Sequence, residues 1–110
     1  MMKAYLGSIS GNSYKIKIFL SLLDVPHERV ILDLAKKEHK TPEFLKINPR
    51  GEVPALEDEG HVIWDSAACL VYIARKYGGD DWLPLHPAKL GEVMQLVALA
   101  QTELQCGLQD

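Results

Sequence analysis

Seven consecutive residues, Asn48-Pro49-Arg50-Gly51-Glu52-Val53-Pro54, constrain this chain more than any other stretch. Two prolines and a glycine fix the backbone of a loop that runs directly into an apolar segment at Ala55. A proline at the entrance of a strand cannot donate to the ladder, so Pro54 marks where a strand begins. Its bond to Val53 has access to the cis form, which about one X-Pro bond in twenty adopts. A cis bond there would turn the Val53 N–H and C=O outward, free to pair with an extended peptide as an added strand does. The plain alternative is a rigid turn with no partner.

The elements on either side give this loop its setting. An apolar-rich strand at 3–6 leads into the turn Gly7-Ser8-Ile9-Ser10-Gly11-Asn12, after which 13–23 reads as a helix. Ile16, Phe19, Leu20 and Leu23 follow helical spacing, and Ile18 and Leu22 widen the stripe, which predicts a helix buried against a sheet. Asp24-Val25-Pro26 ends it, and 27–32 forms a second strand. Thr41 as cap, Pro42 at the first helical position and Glu43 in the first turn start a short helix that stops before Asn48-Pro49. Strands at 55–57 and 61–64 flank the hairpin signal Asp58-Glu59-Gly60. Asp65 or Ser66 caps the next helix, which passes through Ala67, Leu70, Val71 and Ala74 to Tyr77 and stops at Gly78-Gly79.

This order, β-α-β-α-β-β-α, predicts an α/β domain over 1–78 with a four-stranded mixed sheet of the thioredoxin-like kind. A polar, proline-bearing linker at 79–87 precedes a last helix at about 88–108. That helix carries one apolar stripe of Leu90, Val93, Met94, Val97 and Leu104 and a second of Leu96, Leu99 and Ala100. A surface helix needs only one stripe, so the second predicts a cover: further protein or a second copy of the chain.

Bulk composition excludes several classes. The 110 residues are 47% hydrophobic and 25% charged with a formal net charge of −3, which suits one globular domain. The densest basic cluster, Lys36-Lys37-Glu38-His39-Lys40, is too short for the basic stripe of a nucleic-acid binder. No run approaches the ~20 apolar residues of a membrane span, and the first six residues lack a signal peptide's core. Cys69 and Cys106 each sit in an apolar helical pattern, which fits free thiols in a reducing, cytoplasmic setting. His27, His61 and His86 lack metal-ligand spacing, so no metal site is expected.

Three turns carry chemistry. Ser10-Gly11-Asn12-Ser13 occupies the strand-to-helix turn where thioredoxin-like redox enzymes place Cys-x-x-Cys. Without a thiol the protein has no nucleophile for disulfide exchange, but a hydroxyl at a helix N-terminus can donate to a thiolate that a ligand brings. The plain alternative is an ordinary helix cap. A nucleophile elbow is excluded, because Ile9 stands at the centre of Gly7 to Gly11. The proline loop offers the Val53 backbone. Asp65-Ser66 opens a helix whose free N–H groups suit a carboxylate, while Asp65 suits an ammonium; a γ-glutamyl end has both charges.

Taken in order, these motifs resemble the glutathione transferases. The run Ser10-Gly11-Asn12-Ser13-Tyr14-Lys15-Ile16-Lys17-Ile18 is similar to the family's first-helix signature, Asn48 to Pro54 to its Asn-Pro-x-Gly-x-Val-Pro loop, and Asp65-Ser66 to its acid-Ser pair. Glu38-His39-Lys40 resembles the glycine-carboxylate site of the plant phi class. The resemblance is to bacterial members and runs from Lys3 to about Gly78, with the start of the family's second, helical domain behind it. It implies that Ser10 activates the glutathione thiol and that Asn12 matches an assisting Asn. Val53, with Pro54, would hold the cysteinyl backbone, and Asp65 and Ser66 the γ-glutamyl group. His39, Lys40 or Arg50 would meet the glycine carboxylate. It further implies no resident cofactor, glutathione as substrate, and an electrophile or disulfide as second substrate. A detoxifying, cytoplasmic homodimer built on helices at 67–74 and 90–104 is also implied. Because the family's second domain supplies most of the electrophile site, a glutathione site nearly whole and a second site mostly missing are expected. A non-catalytic interaction module, like stringent starvation proteins or elongation-factor gamma subunits, is the alternative reading; an intact Ser10 favours the enzyme.

Overall fold

A computed structural model of the chain describes residues 1–99. Cys106, Leu104, Ala100 and the expected end of the last helix lie outside the described residues.

Strand β1 spans Met2–Gly7, helix α1 Gly11–Leu22, strand β2 His27–Leu32, helix α2 Pro42–Ile47, strand β3 Ala55–Asp58, strand β4 His61–Trp64, helix α3 Ser66–Ile73 and helix α4 Pro87–Leu99. The four strands form one mixed sheet in the order β2-β1-β3-β4. β1 runs parallel to β2, with Met2 opposite His27 and Gly7 opposite Leu32, while β3 runs antiparallel to both β1 and β4. The expected thioredoxin-like β-α-β-α-β-β-α order and its following helical segment are present.

Alternation along the strands decides which helix covers which face. Ala4, Leu6 and Leu56 join Ile16 and Leu20 of α1 and Cys69 and Ile73 of α3 in the main core. Tyr5 and Ala55, one residue out of step, meet Phe44 of α2 on the opposite face. The stripe on α1 is narrower in space than in sequence. Ser13, Ile16 and Leu20 are buried, whereas Ile18 is 44% and Leu22 64% exposed. The helix is buried against the sheet as expected, but over a narrower face than the spacing of Ile18 and Leu22 suggests. On α4 the expected second stripe is open: Leu96 is 68% and Leu99 50% exposed.

The β3–β4 hairpin turns through Glu59 (φ 50°) and Gly60 (φ 82°), two left-handed residues of the kind a two-residue hairpin requires. Helix α3 ends earlier than its apolar pattern suggests. Ala74–Gly78 widens into a π turn, and the left-handed stop falls at Gly79 (φ 65°).

Asp58, read from sequence as part of the hairpin turn, closes β3 and is buried. Its Oδ2 accepts hydrogen bonds from Tyr72 Oη at 2.8 Å, Tyr77 Oη at 2.9 Å and the Lys76 ammonium. This ties the hairpin to the end of α3. Burial pushes the Asp58 carboxyl upward, but the three donors and the Lys76 charge outweigh it and hold the carboxyl below its ordinary value. A carboxylate lowered in the fold contributes stability that is present above its unfolded pKa and lost as pH falls through its folded pKa. Asp58→Asn should therefore cost about 1–3 kcal/mol near neutrality, since hydrogen bonds to a charged acceptor are worth ~1.5–3 kcal/mol and Lys76 is partly solvated. Denaturant unfolding of the variant should also lose less stability below pH 4 than wild type does. A parallel pH dependence would remove Asp58 from the acid limb.

Candidate functional site

The sheet topology brings the three predicted turns to one end. β1 ends there at Gly7; β3 enters there, behind Pro54; β4 leaves there at Trp64. Extending the Ala55–Trp64 pairing by one step sets Pro54 level with Asp65. The first turns of α1 and α3 both lie at this end, so two sets of unpaired helical N–H groups and two positive dipole ends converge on it.

Ser10 is the N-cap of α1, with extended backbone (φ −157°, ψ 119°). Its Oγ accepts the Ser13 N–H at 3.1 Å, and its carbonyl accepts the Tyr14 N–H at 3.0 Å. Among the described residues the hydroxyl hydrogen has no acceptor, so it remains available for a ligand. Asn12 sits within the first turn, where its Oδ1 accepts from Lys15 Nζ at 3.2 Å. Among the described residues no hydrogen bond joins it to Ser10 or Val53.

Val53 and Pro54 are joined by a cis peptide bond. Among the described residues the Val53 N–H and C=O take no part in the backbone hydrogen bonds of the turns and loops. Gly7 shows how close the two loops come. A Cβ added there would lie 3.0 Å from Val53 Cγ2 and 3.1 Å from Ser10 Cβ. Ser10 and Val53 are therefore neighbours across the last residue of β1.

The proline loop owes its shape to Asn48, fully buried and not singled out from the sequence as an individual residue. Asn48 Nδ2 donates to the Glu52 carbonyl at 3.0 Å, and its Oδ1 accepts the Arg50 N–H at 3.1 Å. Its own carbonyl accepts the Gly51 N–H at 2.9 Å, closing the turn from inside. An Asn beside a proline in a loop of fixed shape was the available signal. Gly51 takes φ 61°, and a Cβ there would stand 3.0 Å from the His39 carbonyl oxygen and 3.1 Å from Lys40 Cδ. The absent side chain lets the loop sit directly on the Glu38–Lys40 turn.

His39 and Lys40 are thus brought to the site from that turn. His39 is half-buried, and its Nδ1 is shielded from solvent with no hydrogen-bond partner among the described residues. Lys40 is exposed. Arg50 points elsewhere: its guanidinium lies 4.7 Å from the Trp64 ring centre and 3.4 Å from Glu52 Oε1. Of the three side chains expected at one carboxylate, two share the Glu38–Lys40 turn and the third is stacked on Trp64 of β4, one residue before Asp65.

Asp65 caps α3, with its carboxylate accepting the Ala68 N–H at 3.2 Å. Its backbone stands at φ 77°, ψ 130°, outside the regions comfortable for a residue with a side chain. Such outliers persist only where the surroundings enforce them, and they concentrate at ligand sites. Ser66 is buried beside it. Cys69, one turn further, is no rival nucleophile. Burial, with the Asp65 charge, pushes its thiol up to about 12, and its Sγ donates to the Ile63 carbonyl at 3.5 Å. Among the described residues no group of three or more His, Cys, Asp or Glu is placed to hold a metal ion, and no helix is long and apolar enough to cross a membrane.

Comparison with known proteins agrees with this geometry. Residues 2–75 match the family model of the glutathione S-transferase N-terminal domain. A zeta-class glutathione S-transferase of Euphorbia esula is 39% identical over 104 residues, covering 94% of this chain and 46% of that protein. The solved glutathione S-transferase isozyme E7 of Drosophila melanogaster superposes with a TM-score of 0.83 at 36% identity, over 93% of this chain and 47% of its own. The transferase URE2P8 of Phanerochaete chrysosporium, solved with oxidized glutathione, gives 0.81 at 34% identity, over 92% and 48%. The chain spans about half the length of these relatives. With its sheet, its proline loop and its capped third helix in the family's order, the chain belongs to the glutathione S-transferase family.

Proposed function

We propose that the end of the sheet described above binds glutathione and holds its thiol as thiolate for attack on an electrophilic carbon or a disulfide. The observation that carries this reading is the adjacency of Ser10 and Val53 across Gly7. A donor hydroxyl then stands beside an open backbone edge of the kind that pairs with an extended peptide. The peptide's cysteinyl unit would lie on Val53 and Pro54, its thiol toward Ser10, with the Asn12 region and the α1 N-terminus behind it. Asp65 and Ser66 would take the γ-glutamyl ammonium and carboxylate. His39 and Lys40 would take the glycine carboxylate, and Arg50, already held by Trp64 and Glu52, would contribute at longer range. The oxidized glutathione in the Phanerochaete relative supports this class of ligand.

The chemistry asks little of the protein. The thiol proton leaves to solvent. The sulfur lone pair forms the new bond to carbon or sulfur, and the leaving group departs with the old bonding pair. No resident cofactor is needed. In this reading 1–78 is the glutathione-binding domain, 79–87 a linker, and 88–99 of α4 the opening of a helical domain that shapes the second-substrate site; 100–110 lie outside the described residues. The setting is cytoplasmic and the role detoxifying. Calorimetric titration of the chain with glutathione should give saturable heat, and immobilised glutathione should retain it. Absence of both would favour a non-catalytic interaction module.

The reading includes a two-fold dimer through α3 and α4. Between them lies an apolar cleft of about 730 Å³ lined by Ile63, Val71, Leu83, Leu85, Leu90 and Met94. An exposed apolar surface of this kind on a folded chain marks an interface, and closed two-fold pairing is the commonest way to cover one. Light scattering should return twice the monomer mass at micromolar concentration, and a monomer that is stable from dilute to concentrated solution would contradict the assignment.

A further inference from the structure

β1 and β3 part at the Tyr5–Ala55 pair, so Gly7, the last residue of β1, has no ladder partner in β3. Its N–H donates instead to Ser13 Oγ at 2.8 Å. Ser13 lies in the first turn of α1 and is 2% exposed. The backbone N–H of the same residue donates to Ser10 Oγ at 3.1 Å. One buried residue therefore holds both the end of the strand and the hydroxyl at the head of the helix.

Each of these bonds bears on a different property of the site. A hydroxyl offers one hydrogen and two lone pairs. With one lone pair of Ser10 engaged by the Ser13 N–H, its hydrogen and second lone pair are left for other partners. Gly7 is the spacer between Ser10 and Val53, with no room for a Cβ on either side. The close approaches are to Ser10 Cβ and Val53 Cγ2, so where Gly7 is held bears on how far Ser10 stands from Val53.

We propose that Ser13 is a positioning residue for thiol ionisation: by fixing Gly7, its hydroxyl sets the spacing between the Ser10 hydroxyl and the Val53 backbone. The proposal rests on the glutathione reading above. A buried serine that only stabilised the fold would change melting behaviour and leave the bound thiol's titration alone. Ser13 acts on the ionised form, because hydrogen bonding to a thiolate is more sensitive to donor distance than hydrogen bonding to a neutral thiol.

The test is the chemical shift of glutathione labelled with carbon-13 at the cysteinyl β-carbon, followed against pH on the full chain at saturation. Ser13→Ala should raise the bound thiol's pKa by about one unit, a tenfold loss of thiolate at pH values below both midpoints. Its affinity for S-methylglutathione, which has no thiol to ionise, should stay within about twofold of wild type, well under the tenfold that 1.4 kcal/mol represents. Ser13→Thr, which keeps the hydroxyl, should titrate like wild type. A Ser13→Ala curve superimposable on wild type overturns the proposal, and so does a Ser13→Thr curve that shifts as far as Ser13→Ala. Should Ser13→Ala fail to fold, Ser13→Cys carries the test, since sulfur is a weak acceptor: an intermediate pKa supports the proposal and a wild-type pKa overturns it. If wild type itself binds no glutathione, the functional reading falls and takes this inference with it. If wild type binds and ionises glutathione while the Ser13 variants titrate unchanged, this inference alone falls.

Discussion

Ser10→Ala is expected to leave glutathione binding nearly intact and to raise the pKa of the bound thiol by about two units. A free thiol titrates near pH 8.5, so only a few per cent is thiolate at neutral pH. The thiolate is the reactive species, and anything that favours it over the thiol raises the reactive fraction directly. In the glutathione reading three elements would favour it: the Ser10 hydroxyl, whose hydrogen has no acceptor among the described residues; the Asn12 region; and the positive end of α1. A lowering of about two units corresponds to roughly 2.7 kcal/mol of differential stabilisation, enough to ionise most bound glutathione at pH 7. The affinity for glutathione should depend far more on its two charged ends, which Ser10 does not touch. Thiolate absorbance against pH, with wild type and variant both saturated, measures the effect. Superimposable curves would exclude Ser10, and Asn12→Ala would be measured next. The geometry already ranks the two. Ser10 adjoins Val53 across Gly7, whereas Asn12 is tied through its Oδ1 to Lys15 on the helix.

What the sequence disclosed was local chemistry. Ser10 to Ser13 as a cap, Thr41-Pro42 as a helix start and Asp65 or Ser66 as the cap of α3 each depend on residues within four positions; the caps form, with Ser10, Thr41 and Asp65 as the capping residues. The cis bond at Pro54 was available from the residue type, though the type alone did not choose between cis and trans. What stayed hidden depends on partners far along the chain. Asp58 reads as a hairpin turn residue until Tyr72, Lys76 and Tyr77, 14 to 19 positions later, fold over it. Ile18 and Leu22 read as core because helical spacing gives a stripe's width and not the width of the surface it meets. Arg50 stood beside His39 and Lys40 through the family resemblance, and its packing on Trp64, opposite Ala55 in the hairpin, depends on a residue 14 positions later. Asn48 shows a middle case. Its residue type suggested a turn, yet its burial and its bonds to Arg50, Gly51 and Glu52 follow from the loop folding back over it.

Asp65 carries two loads at once, and a pair of substitutions separates them. Its carboxylate caps α3 through the Ala68 N–H, and in the glutathione reading it also meets the γ-glutamyl ammonium. Asp65→Ala removes both. Loss of the cap costs about 1 kcal/mol of stability. The φ of 77° adds to that, because Asp and Asn tolerate positive φ better than Ala does. Loss of a charged hydrogen bond in a partly desolvated site costs a further ~1.5–3 kcal/mol of binding, about tenfold to a hundredfold in dissociation constant. Asp65→Asn keeps the cap and the backbone preference and removes only the charge, since Asn caps helices as well as Asp does. Its melting temperature should therefore stay close to wild type while its affinity falls nearly as far as that of Asp65→Ala. Calorimetry with glutathione, alongside thermal unfolding of the ligand-free proteins, reads the two quantities independently. A stable Asp65→Asn protein with wild-type affinity would show that the carboxylate serves the helix and not the ligand. The γ-glutamyl group would then have to be sought at Ser66 and the α3 backbone N–H groups alone.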